Sequence, residues 1–434
     1  MRNASFTLAL VLSMAGCLLA QPAAPVALNL RDAEAMALKN HPQVLAAQNA
    51  ASAMNQKIDE TRAAYYPTLE GDVTGSQANP RARIGAGFLT DPSLFDRFGQ
   101  GITLSQLITD SGRTSNLVAT SRLQAGAAAQ TAQATAYDVL VRVNQAYFGA
   151  LRAQGLVKVA QETVAARQLL VDQVTALYNN KLRSELDVSF VDVNLSQAKL
   201  LLLQAQDLVQ STSAELTRAI GGQQAATYRL EEQPPPPSPP ANPEDLVTQA
   251  LSARPELASL QMSRDAAYRF ENAEKDLSYP TASFVGVGGY MPYVDQITLP
   301  RVIPPEYEGV AVNVQIPILN GGLFKARRQE AHFRALEADQ RLRDEAQAIA
   351  RDVRTAWAGS TTAYQRLDVT AELMREAALA LDLAQGRYNL GLSNIVELTQ
   401  AQLNLTSAEI DNLSAKYDYQ SAYATLQYAY GALR

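Results

Sequence analysis

Two periodicities alternate along this chain, and each stops where the other begins. Between residues 323 and 388 apolar and small residues return every seven positions, and proline is absent, as it also is from 113 to 178. One seam reads Ala346, Val353, Ser360, Leu367, Met374, Leu381 and Tyr388; its partner reads Leu342, Ile349, Ala356, Ala363, Thr370, Ala377 and Ala384. A repeat of about 3.5 residues per turn predicts left-handed supercoiling, and the small residues of the second seam permit close helix approach. At about 1.5 Å per residue each stretch reaches roughly 100 Å, a length no compact domain holds internally. Shorter helices are expected from Pro42 to Ala64 and from Leu182 to Gly221.

Period-two segments separate the helices. Val310, Val312, Val314 and Ile316 share one face while Ala311, Asn313 and Gln315 share the other, which predicts a strand. Comparable runs span Leu69 to Gln77, Gln100 to Ile108, Ala282 to Tyr290 and Gly309 to Ile316. Tyr66-Pro67 and Tyr279-Pro280 end the preceding helices, because proline cannot continue the ladder and pushes its predecessor toward extended geometry. Asp110-Ser111-Gly112 and Asn320-Gly321-Gly322 return the chain to helix: Asp or Asn can cap the exposed amides, and glycine tolerates a tight turn.

The same order occurs twice. Asp32, Pro42, Tyr66 and Pro67 recur as Asp245, Pro255, Tyr279 and Pro280 at an offset of 213. Further on, at an offset of 210, Asp110, Gly112, Tyr147, Tyr178, Asn179 and Gly221 face Asn320, Gly322, Trp357, Tyr388, Asn389 and Gly431. Expected divisions are therefore a signal peptide over 1–20, a first repeat over 21–221, a proline-rich linker over 222–243 and a second repeat over 244–434. Seven prolines between Gln233 and Pro243 predict an extended connector.

Composition removes whole classes of function. Of 434 residues, 37 are basic and 43 acidic, net −6, which leaves nothing to neutralise nucleic-acid phosphates in bulk. One cysteine, Cys17, and two histidines, His41 and His332, cannot build a thiolate or multi-histidine metal site within one protomer. No Gly-Lys-Ser/Thr follows the glycine-bearing turns or Gly286 to Gly289, so a phosphate loop is not indicated. No cofactor and no catalytic group is expected; Trp357 and the tyrosines at 417, 419, 423, 428 and 430 read as packing residues.

Arg2, the apolar run Phe6 to Leu12 and the small residues Ala15 and Gly16 read as an export signal. Two ends compete: cleavage after Gly16 with Cys17 lipidated, or after Ala20. Beyond it no run approaches the roughly 18 apolar residues of a membrane helix. A membrane location would then require strands, since only helices and closed barrels satisfy the backbone in lipid. Four strands cannot close a barrel, whereas three chains would pool twelve. The resulting fold class is mostly α: tandem long-helix coiled coils plus four strands per protomer.

Together with Arg387-Tyr388-Asn389-Leu390-Gly391-Leu392-Ser393-Asn394-Ile395-Val396-Glu397-Leu398, this tandem architecture resembles the TolC-like outer-membrane factor family over essentially the whole mature chain. The resemblance implies a homotrimer with a twelve-stranded barrel in outer-membrane lipid and a helical tunnel across the periplasm of a Gram-negative-type cell. It implies a passive exit duct of a tripartite efflux pump or type I secretion system. Its partners would be a periplasmic membrane-fusion adaptor and an inner-membrane pump of RND, ABC or MFS type. Carried over, the adaptor-contact tips are Tyr178, Asn179, Lys181, Leu182 and Arg183, and Tyr388, Asn389, Gly391, Leu392 and Ser393. The first tip departs from the family pattern, with Lys181 in place of glycine. Asp187 and Glu397 would ring the periplasmic gate, the bland alternative being solvated surface charges. A lipidated subgroup exists in the family, which bears on Cys17. The rival reading is a periplasmic coiled-coil adaptor or structural protein without a barrel.

Overall fold

The computed structural model describes residues 26–77, 83–86, 89–93, 97–222, 228–294 and 304–433. Cys17 and both cleavage sites lie outside the described residues, as do 78–82, 87–88 and 94–96 of the first strand-connecting loop and 295–303 of the second. In chain order the elements are β1 Val26–Leu28, α1 Leu30–Asn40, α2 Pro42–Arg62, β2 Thr68–Ser76, β3 Arg83–Ala86, β4 Leu89–Ser93, β5 Arg97–Thr109, α3 Arg113–Asn179 and α4 Glu185–Ala219. There follow β6 Tyr228–Leu230, α5 Pro243–Ala253, α6 Pro255–Asp276, β7 Thr281–Val294, β8 Glu306–Gln315, α7 Leu323–Asn389 and α8 Ile395–Ala429. The matched helices are equal in length: 67 residues in α3 and α7, 35 in α4 and α8. No described helix is long and apolar enough to cross a membrane.

The contacts divide into two units, and α3, α7 and α8 run through both. One unit contains the main sheet, antiparallel in the order β2-β5-β7-β8. Its register sorts the side chains. Leu69, Leu104, Gly286 and Val310 form one cross-strand row, and Gln106, Phe284 and Val312 the next on that face. Val73, Ile102 and Val314 share it, so this side is predominantly apolar, yet Val73, Val310, Val312 and Val314 are largely exposed. The opposite side carries Thr68 with Ser105, Glu70 with Thr103, Asp72 with Gly101, and Ser283 with Asn313. In the same unit a core joins Leu246, Val247 and Ala250 of α5, Leu257 of α6, Ile349 and Val353 of α7, and Leu426 and Ala429 of α8. Arg254, buried at the break before Pro255, holds Glu256 by an Nη2–Oε1 bond of 2.8 Å and lies over the Tyr428 ring. The Tyr428 hydroxyl in turn donates to the Asp138 carboxylate, and burial drives its pKa well up.

The second unit holds residues 146–179 of α3, all of α4, 373–389 of α7 and 395–417 of α8, and a feature that the hydrophobic pattern missed. β1 and β6 form a two-stranded parallel pair, only three residues each. Tyr147, fully buried on α3, fixes it: its hydroxyl lies 3.0 Å from the Leu28 carbonyl and 2.7 Å from that of Glu231, and accepts from the Glu231 amide. Trp357, the equivalent residue of the second repeat, donates Nε1–H to the Pro240 carbonyl at 2.7 Å in the other unit. Residues 231–242 form neither helix nor strand. A proline run donates no amide hydrogens but leaves carbonyls free, and aromatic donors take them, Tyr419 binding Pro237 as Trp357 binds Pro240.

All fourteen heptad positions of the two α7 seams are buried or half-buried. The second helix of the first hairpin starts later than the pattern suggested: α4 begins at Glu185, not Leu182. Ser184 explains the shift, because its side chain caps the helix and the three residues before it form the turn.

Candidate functional site

The two hairpin tips lie in the same unit and share one backbone design. At the first, the Lys181 amide donates to the Tyr178 carbonyl (2.8 Å) and the Leu182 amide to the Leu177 carbonyl (2.9 Å). At the second, Gly391 donates to Tyr388 (3.0 Å) and Leu392 to Arg387 (2.8 Å). Both are Schellman endings, which need a left-handed residue just past the helix. Gly391 supplies φ +72° and Lys181 supplies φ +60°. Lysine at 181 therefore changes the energy of the first tip and not its shape. A non-glycine residue likewise replaces a left-handed glycine at the other end of α3, where Ser111 (φ +58°) matches Gly321 (φ +61°).

The side chains diverge. Asp187 completes a capping box at the start of α4: its Oδ2 accepts from the Ser184 amide (3.0 Å) and hydroxyl (2.9 Å), while Ser184 Oγ accepts from the Asp187 amide (3.2 Å). Glu397 is not used in this way, because Asn394 Oδ1 caps α8 by accepting from the Glu397 amide at 3.0 Å. The Glu397 carboxylate instead pairs with Arg387 Nε at 3.0 Å, both side chains about half-exposed. The two candidate gate carboxylates thus have separate partners.

Tyr388 is the centre of the site. It is 4% exposed, against 40% for Tyr178. Its ring belongs to a core of Leu170, Val174, Val191, Ala384, Ile395, Leu398 and Ala401. Arg183 of the first tip lies over that ring, 4.4 Å from its centroid, so the two tips are bound through a cation–π contact. Burial raises the Tyr388 pKa; the Arg183 charge opposes the rise and the Asp187 charge adds to it. The structure therefore brings Arg183, Asp187 and Tyr388 together. Asn389 accepts from Gln385 at 3.1 Å, whereas Asn179, Lys181, Leu182 and Leu392 are exposed, the two leucines 69% and 67%. Sequence reading identified Arg183 and Arg387 without their partners, since neither bond follows from spacing.

The strand–helix junctions lie in the other unit. Asp110 caps α3, with Oδ2 accepting from the Thr114 amide at 2.6 Å and Oδ1 from the Gly112 amide at 3.2 Å. Asn320 Oδ1 accepts from the Gly322 amide at 3.2 Å. Tyr66 and Tyr279 are exposed beside Pro67 and Pro280, and the Ser111 hydroxyl donates to the Pro280 carbonyl at 2.8 Å, tying one repeat to the other.

The alkaline protease secretion protein AprF of Pseudomonas aeruginosa is 26% identical over 400 residues, covering 87% of this chain and 80% of the relative. The outer membrane protein TolC of Vibrio cholerae is 24% identical over 398 residues, covering 87% and 84%. A crystal structure of a membrane protein from Pseudomonas aeruginosa superposes with a TM-score of 0.79 at 22% identity, covering 93% of each chain. The model of the outer membrane efflux protein family matches residues 35–222 and 246–432. With two tandem matches spanning most of its length, the chain belongs to the outer membrane efflux protein family.

Proposed function

We propose that this outer-membrane efflux channel works as a homotrimer whose twelve pooled strands line an exit duct, with the paired tips as its periplasmic mouth. One observation carries the reading: the four-stranded sheet has an exposed apolar face, an opposite face where Thr68, Glu70, Asp72, Thr103 and Asn313 are interspersed with Leu107, Val285 and Val287, and edge strands β2 and β8 without a further partner among the described residues. In lipid such edges are tolerated only when closed, and apolar-out, polar-in alternation is what a barrel wall requires. β8, ten residues at about 3.4 Å each, is long enough to cross the hydrocarbon layer when tilted. Mass measurement on the detergent-solubilised protein tests this: a trimer is expected, and a monomer without a barrel overturns it.

The tips complete the proposal. Leu182 and Leu392 occupy equivalent turn positions and expose apolar surface, the chemistry a docking periplasmic adaptor would cover. An inner-membrane pump, through that adaptor, would supply the energy. Asp187 and Glu397 each occur three times around the axis of a trimer, favouring cations at the mouth. Each lies near a cation, Glu397 pairing with Arg387 and Asp187 sharing the surroundings of Tyr388 with Arg183, which moderates that field. The variant Asp187→Asn with Glu397→Gln keeps the capping geometry while removing charge. Weaker block by divalent cations in planar bilayers is expected; unchanged block removes both residues from the gate.

A further inference from the structure

The polar face of the main sheet holds one aromatic ring in an unusual position. Tyr307 of β8 stands in a single cross-strand row with Gly289 of β7, Gly101 of β5 and Asp72 of β2. A side chain on a strand ordinarily stands away from the sheet. Tyr307 instead lies down along the row: a Cβ placed on Gly289 would meet its Cζ and Oη at 2.4 Å, and a Cβ on Gly101 would meet the Oη at 2.2 Å. The ring therefore spans two neighbouring strands and ends toward the Asp72 strand. The two glycines form the trough that admits it, in the manner of an aromatic residue covering bare glycine backbone.

Resting on the trimeric-barrel reading, we propose that the Gly101–Gly289 trough sets the clear width of the duct within the outer membrane by keeping three Tyr307 rings flat against the wall. Each row would present a carboxylate, Asp72, beside the π-face of Tyr307, a surface suited to cationic or aromatic groups on passing cargo. Filling the trough would lift the rings into the passage. Position 101 is the one to fill. At Gly289 a Cβ would also come within 2.5 Å of the Gln100 carbonyl, part of the backbone, whereas at Gly101 the nearest backbone atom, the Gly288 carbonyl oxygen, is 3.2 Å away. A methyl group at 101 therefore displaces the ring more readily than the sheet.

The experiment uses full-length protein in intact cells. Asp72→Cys provides a reporter in the row, labelled from outside with a small maleimide and with a polymer-linked one. Both reagents are expected to react in the parent. Adding Gly101→Ala should abolish labelling by the polymeric reagent and leave the small one unaffected. Adding Tyr307→Ala as well should restore access. Loss of both reagents in the Gly101→Ala variant, or no recovery in the triple variant, indicates sheet distortion and overturns the proposal, as does unchanged polymer labelling. Failure of the small reagent on Asp72→Cys alone, with correctly inserted protein, rejects instead the barrel reading that places this face in the lumen.

Discussion

The two tips have nearly superimposable hydrogen bonding and opposite roles for their tyrosines. Tyr388 is packed into the coil and covered by Arg183, while Tyr178 stands 40% exposed at the matching position. The left-handed residue is glycine in one and lysine in the other. Duplicated backbone geometry thus tolerates different side-chain duties, and the second tip is the anchored member while the first reaches over to hold it.

That asymmetry can be broken at its strongest point. Tyr388→Ala should cost about 3 kcal/mol, as expected for emptying a buried aromatic site, and Tyr178→Ala well under 1 kcal/mol. Thermal unfolding of the purified assembly, together with protease cleavage at the tips, measures both; equal losses would show that the tips are energetically alike. Removing a cap tests the next level. Ser184→Ala should destabilise by about 1 kcal/mol and fray the start of α4, with Asn394→Ala giving a similar loss at α8. Amide hydrogen exchange at the two helix starts would resolve them.

The left-handed positions give opposite signs. Lys181→Gly should stabilise by about 1 kcal/mol, since glycine adopts positive φ without a Cβ clash, and Gly391→Lys should lose a comparable amount. A stabilised first tip in the denaturation midpoint is the expected result, and a destabilised one would show that lysine makes a contact worth more than its strain. The smallest effect belongs to the exposed Arg387–Glu397 pair. Glu397→Gln should change stability by no more than about 0.5 kcal/mol, an effect that salt screens.

These contrasts also show what could be read without coordinates. Long helices announce themselves through unbroken heptads in α7 and through a proline-free stretch of matching length in α3, so both were legible almost to the residue, and Tyr-Pro pairs located the strands that follow. The parallel pair β1 and β6 was not legible, because three residues carry no usable periodicity and the hydrogen bonds to Tyr147 come from 119 and 84 positions away. At the tips the sequence identified the turn residues but took Lys181 as a departure from the pattern. Its φ shows the turn unchanged, an outcome no residue-by-residue comparison with glycine reveals. Sequence reading excluded a phosphate loop at 286 to 289 without assigning those glycines a role, whereas Gly289 serves as a seat for Tyr307.

The open sheet has a consequence for how cells make the protein. On the trimeric reading proposed above, a newly exported chain carries two edges, unpaired among the described residues, that other copies of itself would close, and an apolar face that lipid would cover. Assembly from three such chains, as proposed, would make the yield of finished ducts rise with roughly the cube of the free chain supply when chains are scarce. Halving expression would then remove well over half of the ducts, and carrier proteins that shield single sheets would set how many chains survive long enough to meet. Gene dosage, more than the stability of any one helix, would govern export capacity.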